Sequence, residues 1–473
     1  MDKAIIDTLL ITFSDDGLGI IEDGAVGVED DEIVFVGNTD ELDLKNVEKV
    51  IDGKEHITMP GLVNAHTHTG STLLRGGAQD VPEIEWMNKA IGPIAKHLTE
   101  EDRTLGSKLG VLEGLRTGTT TFAEYKSDVK ETVDEVYQPF NVRVGATETI
   151  NEIVSSREKL GPRDLYEFSP EKGEDAIKKT EDLFDEYEDS DLVDCYYGPQ
   201  ALDMVSLETL EEVWKRAEDR SACIHMHVAQ GEREKIQIKE RYGSSTVEVL
   251  DENDMLNDNL IAAHCHGTSD EEKRLMTDKG VKMVGCPSSI SMIDGIVPPV
   301  NDFLKFGGKA AIGSDQAPGP GTHNMFREMR TISLLTKVRD KDPTKLPCWE
   351  SLKLGCKGGA EVLGMKDKIG SLEVGKKADI ITVDISKVNM TPSVSIPFHN
   401  FIPNLVYSST GYEVDNVIIN GKMIMEDGEF KDIDEEKIIQ KADERAKDVF
   451  EDAKEDWKEA GSYLVKKTDE GFI

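Results

Sequence analysis

The chain has 473 residues, 38% of them hydrophobic and 31% charged, with a net charge of −38. That length exceeds a single compact core and predicts two structural units, while the composition argues against disorder. A surface this acidic repels phosphate backbones and anionic bilayers, so neither nucleic acid nor membrane is the expected partner.

The segment 1–59 reads as short strands and turns. Ala4-Ile5-Ile6-Asp7-Thr8-Leu9-Leu10-Ile11 and Ile33-Val34-Phe35-Val36 are apolar runs cut by Asp-Gly signals. Over 60–369, short buried-looking strands alternate with amphipathic helical stretches. Leu260-Ile261-Ala262-Ala263 and Ala310-Ala311-Ile312-Gly313 are of the first kind; Ser206 to Ala217, with Leu207, Leu210, Trp214 and Ala217 on one face, is of the second. Repeated strand-helix units predict an α/β fold, a (β/α)8 TIM-like barrel. Strand texture returns over 370–433, where Val417-Ile418-Ile419-Asn420-Gly421-Lys422 reads as a hairpin. The two terminal pieces are expected to pair as one small β-sandwich domain. Over 434–473, Ile438, Ile439, Ala442, Ala446, Val449, Phe450, Ala453 and Trp457 predict an amphipathic helix and tail without chemistry.

Six scattered cysteines with no Cys-x-x-Cys pair fit a reducing cytosol. The start, Met1 to Ile6, lacks the basic and apolar regions of a signal peptide, and no apolar run approaches the roughly 18 residues of a membrane span. The expected location is the cytoplasm. The acidic residues are spread along the chain rather than massed in a tail. Adaptation of the surface to high intracellular salt is one hypothesis, and an ordinary acidic cytosolic protein the other.

Chemistry gathers at strand ends. Gly61-Leu62-Val63-Asn64-Ala65-His66-Thr67-His68 ends an apolar strand in two histidines spaced by one, and strand alternation points both imidazoles the same way. Cys223-Ile224-His225-Met226-His227, Leu260-Ile261-Ala262-Ala263-His264 and Ala311-Ile312-Gly313-Ser314-Asp315 end likewise in metal-competent residues. Such ends converge on the mouth of a barrel. Alone, the His-x-His pair would be weak evidence; four sets together point to a metal site.

Pro60-Gly61-Leu62-Val63-Asn64-Ala65-His66-Thr67-His68 followed by Thr72-Leu73-Leu74-Arg75-Gly76 resembles the first-strand signature of the amidohydrolase superfamily. Ala263-His264-Cys265, Gly313-Ser314-Asp315 and Gly370-Ser371-Leu372-Glu373-Val374-Gly375-Lys376-Lys377-Ala378-Asp379 match the branch of adenosylhomocysteine/methylthioadenosine deaminases and triazine hydrolases. The resemblance implies a metal held by His66, His68, His227 and Asp315, with His264 beside the attacking water. It implies one zinc ion per chain, with iron or manganese as alternatives, and a homodimer or larger homo-oligomer. His225 competes with His227 as ligand; His227 is preferred because it stands nearer the strand end and opens the family's His-x-x-Glu pattern. His266 and His323 lie on adjacent loops, where simple exposure would explain them.

The implied reaction is attack of metal-activated water on an electron-poor carbon of a nitrogen heterocycle, displacing an amino or halogen substituent. Asp315 would accept the water's proton, and His264 would hold the hydroxide or the tetrahedral centre. This chain departs from the family in reading His227-Val228-Ala229-Gln230, with Gln230 where the proton-shuttling glutamate stands. Three readings follow: an already activated substrate, another proton source such as His264, or an engineered trap. Pro93-Ile94-Ala95 lacks the ribose-binding glutamate and Gly198-Pro199-Gln200 lacks a histidine, which weakens the case for a nucleoside. Gln200, Gln230 and Ser288 are the candidate substrate contacts. The alternatives are a cyclic-amide or amide hydrolase, whose dinuclear members use a bridging lysine although Lys126 reads as a loop residue rather than such a bridge, and a catalytically silent metal-containing binding protein. The run Ala317-Pro318-Gly319-Pro320-Gly321 suits a tight turn at the barrel mouth.

Overall fold

A computed structural model describes residues 1–154, 164–319 and 321–473, so Pro320 of the turn-rich run lies outside the described residues. Five strands open the chain: β1 (Lys3–Ile11), β2 (Ile20–Glu29), β3 (Glu32–Asn38), β4 (Lys49–Asp52) and β5 (His56–Pro60). Eight follow: β6 (Leu62–Thr67), β7 (Thr119–Lys126), β8 (Arg143–Ile150), β9 (Val193–Pro199), β10 (Ile224–Val228), β11 (Leu260–His264), β12 (Lys282–Gly285) and β13 (Lys309–Ile312). Four more close the sheet regions: β14 (Ile380–Asp384), β15 (Val414–Ile419), β16 (Lys422–Glu426) and β17 (Glu429–Phe430).

Strands β6 to β13 pair in sequential order, every described pair parallel. Their nearly continuous apolar character reflects burial on both faces, as helices between them cover the outside. The first and last strands meet through a parallel bridge between Thr67 and Asp315, with the Asp315 N–H donating to the His66 carbonyl at 3.0 Å. The eight strands thus form the expected barrel.

The remaining nine strands form one mixed sheet in which β5 pairs antiparallel with β14, placing Ile380 opposite Pro60. The two chain ends therefore meet directly. Ile5, Leu10, Val26, Val28 and Ile33 share a separate apolar core with Leu372, Ala378, Ile380 and Ile418. The β15–β16 hairpin turns at Asn420 and Gly421, both at positive φ, the geometry that Asn-Gly supplies at least cost. A buried ion pair ties this sheet to the barrel: Arg143 on β8 donates Nε to Asp379 Oδ2 at 2.7 Å and Nη2 to Oδ1 at 3.0 Å.

The helix expected from Ser206 runs Leu207–Arg220, with the Ser206 hydroxyl accepting from the Thr209 N–H as its cap. The C-terminal helix is divided, into Glu435–Asp452, Lys454–Ala460 and Tyr463–Asp469. Ala442 and Val449 face inward, whereas Ile439 is 48% exposed, because it lies about 100° around the helix from Ile438 and off that stripe. Arg445 grips Asp102 with two hydrogen bonds, and Trp457 donates to the Ala90 carbonyl at 2.7 Å, so these helices are fastened to the barrel's flank. All six cysteines are free thiols, and among the described residues no helix is long and apolar enough to cross a membrane.

Candidate active site

Barrel geometry brings the strand-end residues together. His66 is the penultimate residue of β6 and His68 follows that strand, His227 sits on β10, His264 ends β11, and Asp315 follows β13. One ring nitrogen from each of His66, His68 and His227 lies within 4.8 Å of the others, and His68 Nε2 is 3.6 Å from Asp315 Oδ1. His264, Cys286 and Asp315 form an adjoining group with donor atoms equally close.

The outer nitrogens are anchored. His68 Nδ1 donates to the Tyr125 carbonyl at 2.6 Å and His227 Nδ1 to the Gln200 carbonyl at 2.7 Å. A carbonyl only accepts, so both rings carry their proton on Nδ1 and present a bare Nε2 to the centre. His66 Nδ1 meets His225 Nε2 at 2.9 Å, and His225 Nδ1 reaches the Thr147 hydroxyl at 3.3 Å. His225 thus stands behind His66 and away from the shared centre. Close approach at this point needs Gly313: a Cβ there would meet the His66 backbone nitrogen at 2.6 Å.

Electrostatics favour a cation here. Burial holds His66, His227 and His264 well below the ordinary imidazole pKa, and their mutual repulsion adds to it, so all three are neutral. Burial raises the Asp315 carboxyl, opposed by His68 and by the Ser289 hydroxyl. Ser289 donates to Asp315 Oδ2 at 2.6 Å. His66 Nε2 and both ring nitrogens of His264 are buried without a hydrogen-bond partner among the described residues. Lone pairs left bare in this way are costly, and a divalent ion would satisfy them. Three imidazoles and a carboxylate therefore fit a metal. His264 at φ 75 and Asp315 at φ 61 occupy the left-handed region without being glycine, strain of the kind concentrated at functional sites.

A cavity of about 700 Å³ opens on this cluster, and His68, His227, Asp315, Gln200 and Gln230 all line it. Ser288 is not among the lining residues; its backbone N–H donates to Glu328, and its neighbour Ser289 is the one that reaches the cluster. Lys126 bonds the Thr132 hydroxyl at 2.7 Å rather than joining the histidines. His323 is buried and the His266 side chain is 1% exposed, so neither ring is a surface group. His266 Nε2 accepts from the Gly231 N–H, and His323 is held by Thr67, Thr72 and Ser314. Sequence reasoning also passed over Glu124, whose buried carboxylate takes the Thr69 N–H, the Thr69 hydroxyl and the Tyr137 hydroxyl, fixing the loop after His68. Glu83, Arg233 and Asp294, all on the cavity wall, were likewise unmarked.

Residues 57–424 match the profile of the amidohydrolase family. A 5-methylthioadenosine/S-adenosylhomocysteine deaminase of Thermoanaerobacter pseudethanolicus is 33% identical over 91% of this chain and 96% of its own. A 5'-deoxyadenosine deaminase of Methanosarcina mazei is 33% identical over 95% of this chain and 99% of its own. Among solved structures, a zinc-bound adenosine deaminase from Xanthomonas campestris superposes with a TM-score of 0.87 at 28% identity, covering 95% of this chain and 98% of that one. The zinc-complexed atrazine chlorohydrolase of Arthrobacter aurescens shares the fold, with a TM-score of 0.83 at 21% identity over 94% of this chain and all of its own.

Proposed function

The chain belongs to the amidohydrolase family, and from that premise we propose that it hydrolyses a nitrogen heterocycle at a carbon bearing an amino group. The observation that carries this reading is the convergence of three bare imidazole nitrogens and one carboxylate at the floor of a substrate-sized cavity. His66, His68, His227 and Asp315 would hold one ion, zinc by the character of the donors, with iron or manganese accepted by the same set. Bound there, the ion supplies Lewis acidity that brings the pKa of water down towards about 7.

The protein's own groups do the rest. Asp315, oriented by Ser289, accepts the proton of the attacking water. His264, with both nitrogens free, is placed to hydrogen-bond the incoming oxygen or the tetrahedral carbon's substituents. Gln200 orients His227 through its carbonyl, and Gln230 offers an amide to the ring. Ala95 and Gln200, the two positions that depart from the nucleoside-binding pattern, both lie on the cavity wall. The substituent carried by the heterocycle therefore differs from that of the adenosine-type relatives, while the amino leaving group follows them. Six free thiols support work in the cytoplasm, and a homo-oligomer follows from the family resemblance.

The test is a turnover screen of the zinc-loaded protein against adenine nucleosides, guanine, pterins, pyrimidines and chloro-s-triazines, with ammonia and chloride both measured. Ammonia release supports the reading. Chloride alone would make it a dehalogenase, and release of neither would refute it.

A further inference from the structure

Adding water across an aromatic C=N bond needs a proton on the ring nitrogen as well as a nucleophile at carbon. Gln230 cannot provide one, since an amide neither gains nor loses a proton near neutrality. Glu83, on the short helix Glu83–Glu85, lines the same cavity. Its carboxyl packs against Gly231, the residue after Gln230. A Cβ at 231 would meet Glu83 Oε2 at 2.3 Å, and the φ of +71 there favours glycine as well. The Glu83 side chain is only 12% exposed and lies 3.4 Å from Arg233 Nε.

Charge counting favours a proton being held in this corner. Arg233 also pairs with the wholly buried Asp203, and Asp294 lines the same cavity with no lysine or arginine paired to it among the described residues. Glu83 and Asp203 share one guanidinium, and Asp294 beside them has none. Fully ionised, the three would carry two surplus negative charges out of water, a costly state. Among the described residues, Glu234, His266, Tyr166 and Asp315 also bear on the cluster. Glu234 is already committed to the Ala229 and Gln230 N–H groups and the Thr246 hydroxyl. His266 stands 3.6 Å from Asp294 and accepts from Gly231. Burial raises the Glu83 carboxyl against the pull of Arg233, and it pushes Asp294 up to about 7 with the Glu83 charge adding to it.

We propose that Glu83 is a catalytic residue, the proton carrier that takes over the task Gln230 cannot perform. The inference rests on the heterocycle-hydrolase reading. Glu83 gives its carboxyl proton to the ring nitrogen as the water oxygen bonds to carbon, the C=N π pair moves to nitrogen, and the water's proton passes to Asp315. On collapse the adduct's hydroxyl proton returns to Glu83 as the C=O bond forms. Asp315 gives its proton to the amino group, and ammonia leaves with the C–N pair. Substrate and water become oxo product and ammonia, with both carboxyls restored.

The test compares wild type, Glu83→Gln, Asp294→Asn and the double variant Glu83→Gln/Gln230→Glu, all zinc-loaded. Glu83→Gln should lower kcat about 100-fold or more at unchanged zinc content, the range of a lost general acid, and adding Gln230→Glu should restore about tenfold. Activity of Glu83→Gln within about threefold of wild type, too small for a lost general acid, or loss confined to Asp294→Asn, would overturn the proposal. A second readout needs no turnover: the infrared difference between wild type and Glu83→Gln at neutral pH should contain the carbonyl band of one neutral carboxyl, and its absence also overturns the proposal. If wild type releases nothing from any heterocycle, the hydrolase reading fails while the infrared result still decides where the proton resides.

Discussion

His225 Nε2 lies 2.9 Å from His66 Nδ1, joining two buried imidazoles end to end behind the cluster. For His66 to offer Nε2 to a metal its Nδ1 must keep a proton, which His225 accepts while donating its own to Thr147. Replacing His225 with phenylalanine removes that acceptor and frees the His66 ring to turn. Zinc affinity, measured by chelator competition, should fall about 10- to 100-fold while the fold is kept. Unchanged affinity would show that packing alone orients His66.

Ser289→Ala tests the hydrogen bond to Asp315. A hydrogen bond to a charged group contributes about 1.5–3 kcal/mol. With part of that felt in the transition state, kcat should drop about tenfold with little change in KM. Ser288→Ala is the control and should leave both near wild type, since Ser288 engages Glu328 through its backbone. A loss at 288 and none at 289 would reverse the assignment.

The contrast between these two serines shows how far the sequence can be read. His66, His68, His227, His264 and Asp315 were visible because each ends an apolar run, and parallel strands in a barrel must deliver such ends to one rim. The pairing of the chain ends was visible in the return of strand texture after 370. Ser289 stands in the helix Pro287–Ile293, where its direction depends on how that helix leaves β12, and no periodicity encodes that. Glu83 and Arg233 meet across 150 residues of chain, so only the folded molecule shows them as a pair. Isolated His323 looked like a surface group because two of its partners, Thr67 and Thr72, lie more than 250 residues away along the chain.

Arg143 and Asp379 make a prediction about stability. Both are buried, and they join the barrel to the sheet of the chain ends. Arg143→Met leaves Asp379 charged and unpaired, and should cost about 3–5 kcal/mol in denaturant unfolding. Arg143→Met/Asp379→Leu should recover most of that loss, because replacing a buried pair by apolar groups is often close to neutral. A double variant no better than the single one would mean that the pair's other hydrogen bonds, to the Asp191 carbonyl and Asn420, carry the stability.

His323 predicts a pH dependence. Burial lowers its pKa to about 4, below the ordinary value of 6.5. Above 6.5 both folded and unfolded forms are neutral and its contribution is fully present. As pH falls from 6.5 towards 4 only the unfolded chain takes the proton, so stability declines by up to about 1.4 kcal/mol per pH unit. His323→Gln should therefore show a shallower loss of unfolding free energy across that window, by about one proton's worth of slope. Parallel slopes for the two proteins would rule His323 out as a contributor.

The net charge of −38 bears on the whole molecule. Like charges on a compact surface repel one another, and unfolding relieves the repulsion by spreading them. At 0.01 M salt the screening length is roughly 30 Å and the repulsion acts across the domain, whereas at 1 M it is roughly 3 Å and only neighbours interact. If the surface is adapted to high salt, Tm should climb steeply with potassium chloride well beyond physiological strength, and activity should follow it. Screening of long-range repulsion is almost complete by about 0.5 M, so a rise that stops there reflects net charge alone. A Tm that is flat from low to molar salt would mean that repulsion among the unpaired acids is too weak to set stability beside pairs such as Lys179–Asp128 and Lys377–Asp31. Charge-neutralising substitutions at unpaired surface acids would then leave stability unchanged, whereas in the salt-adapted case they should raise Tm at low salt and flatten its dependence.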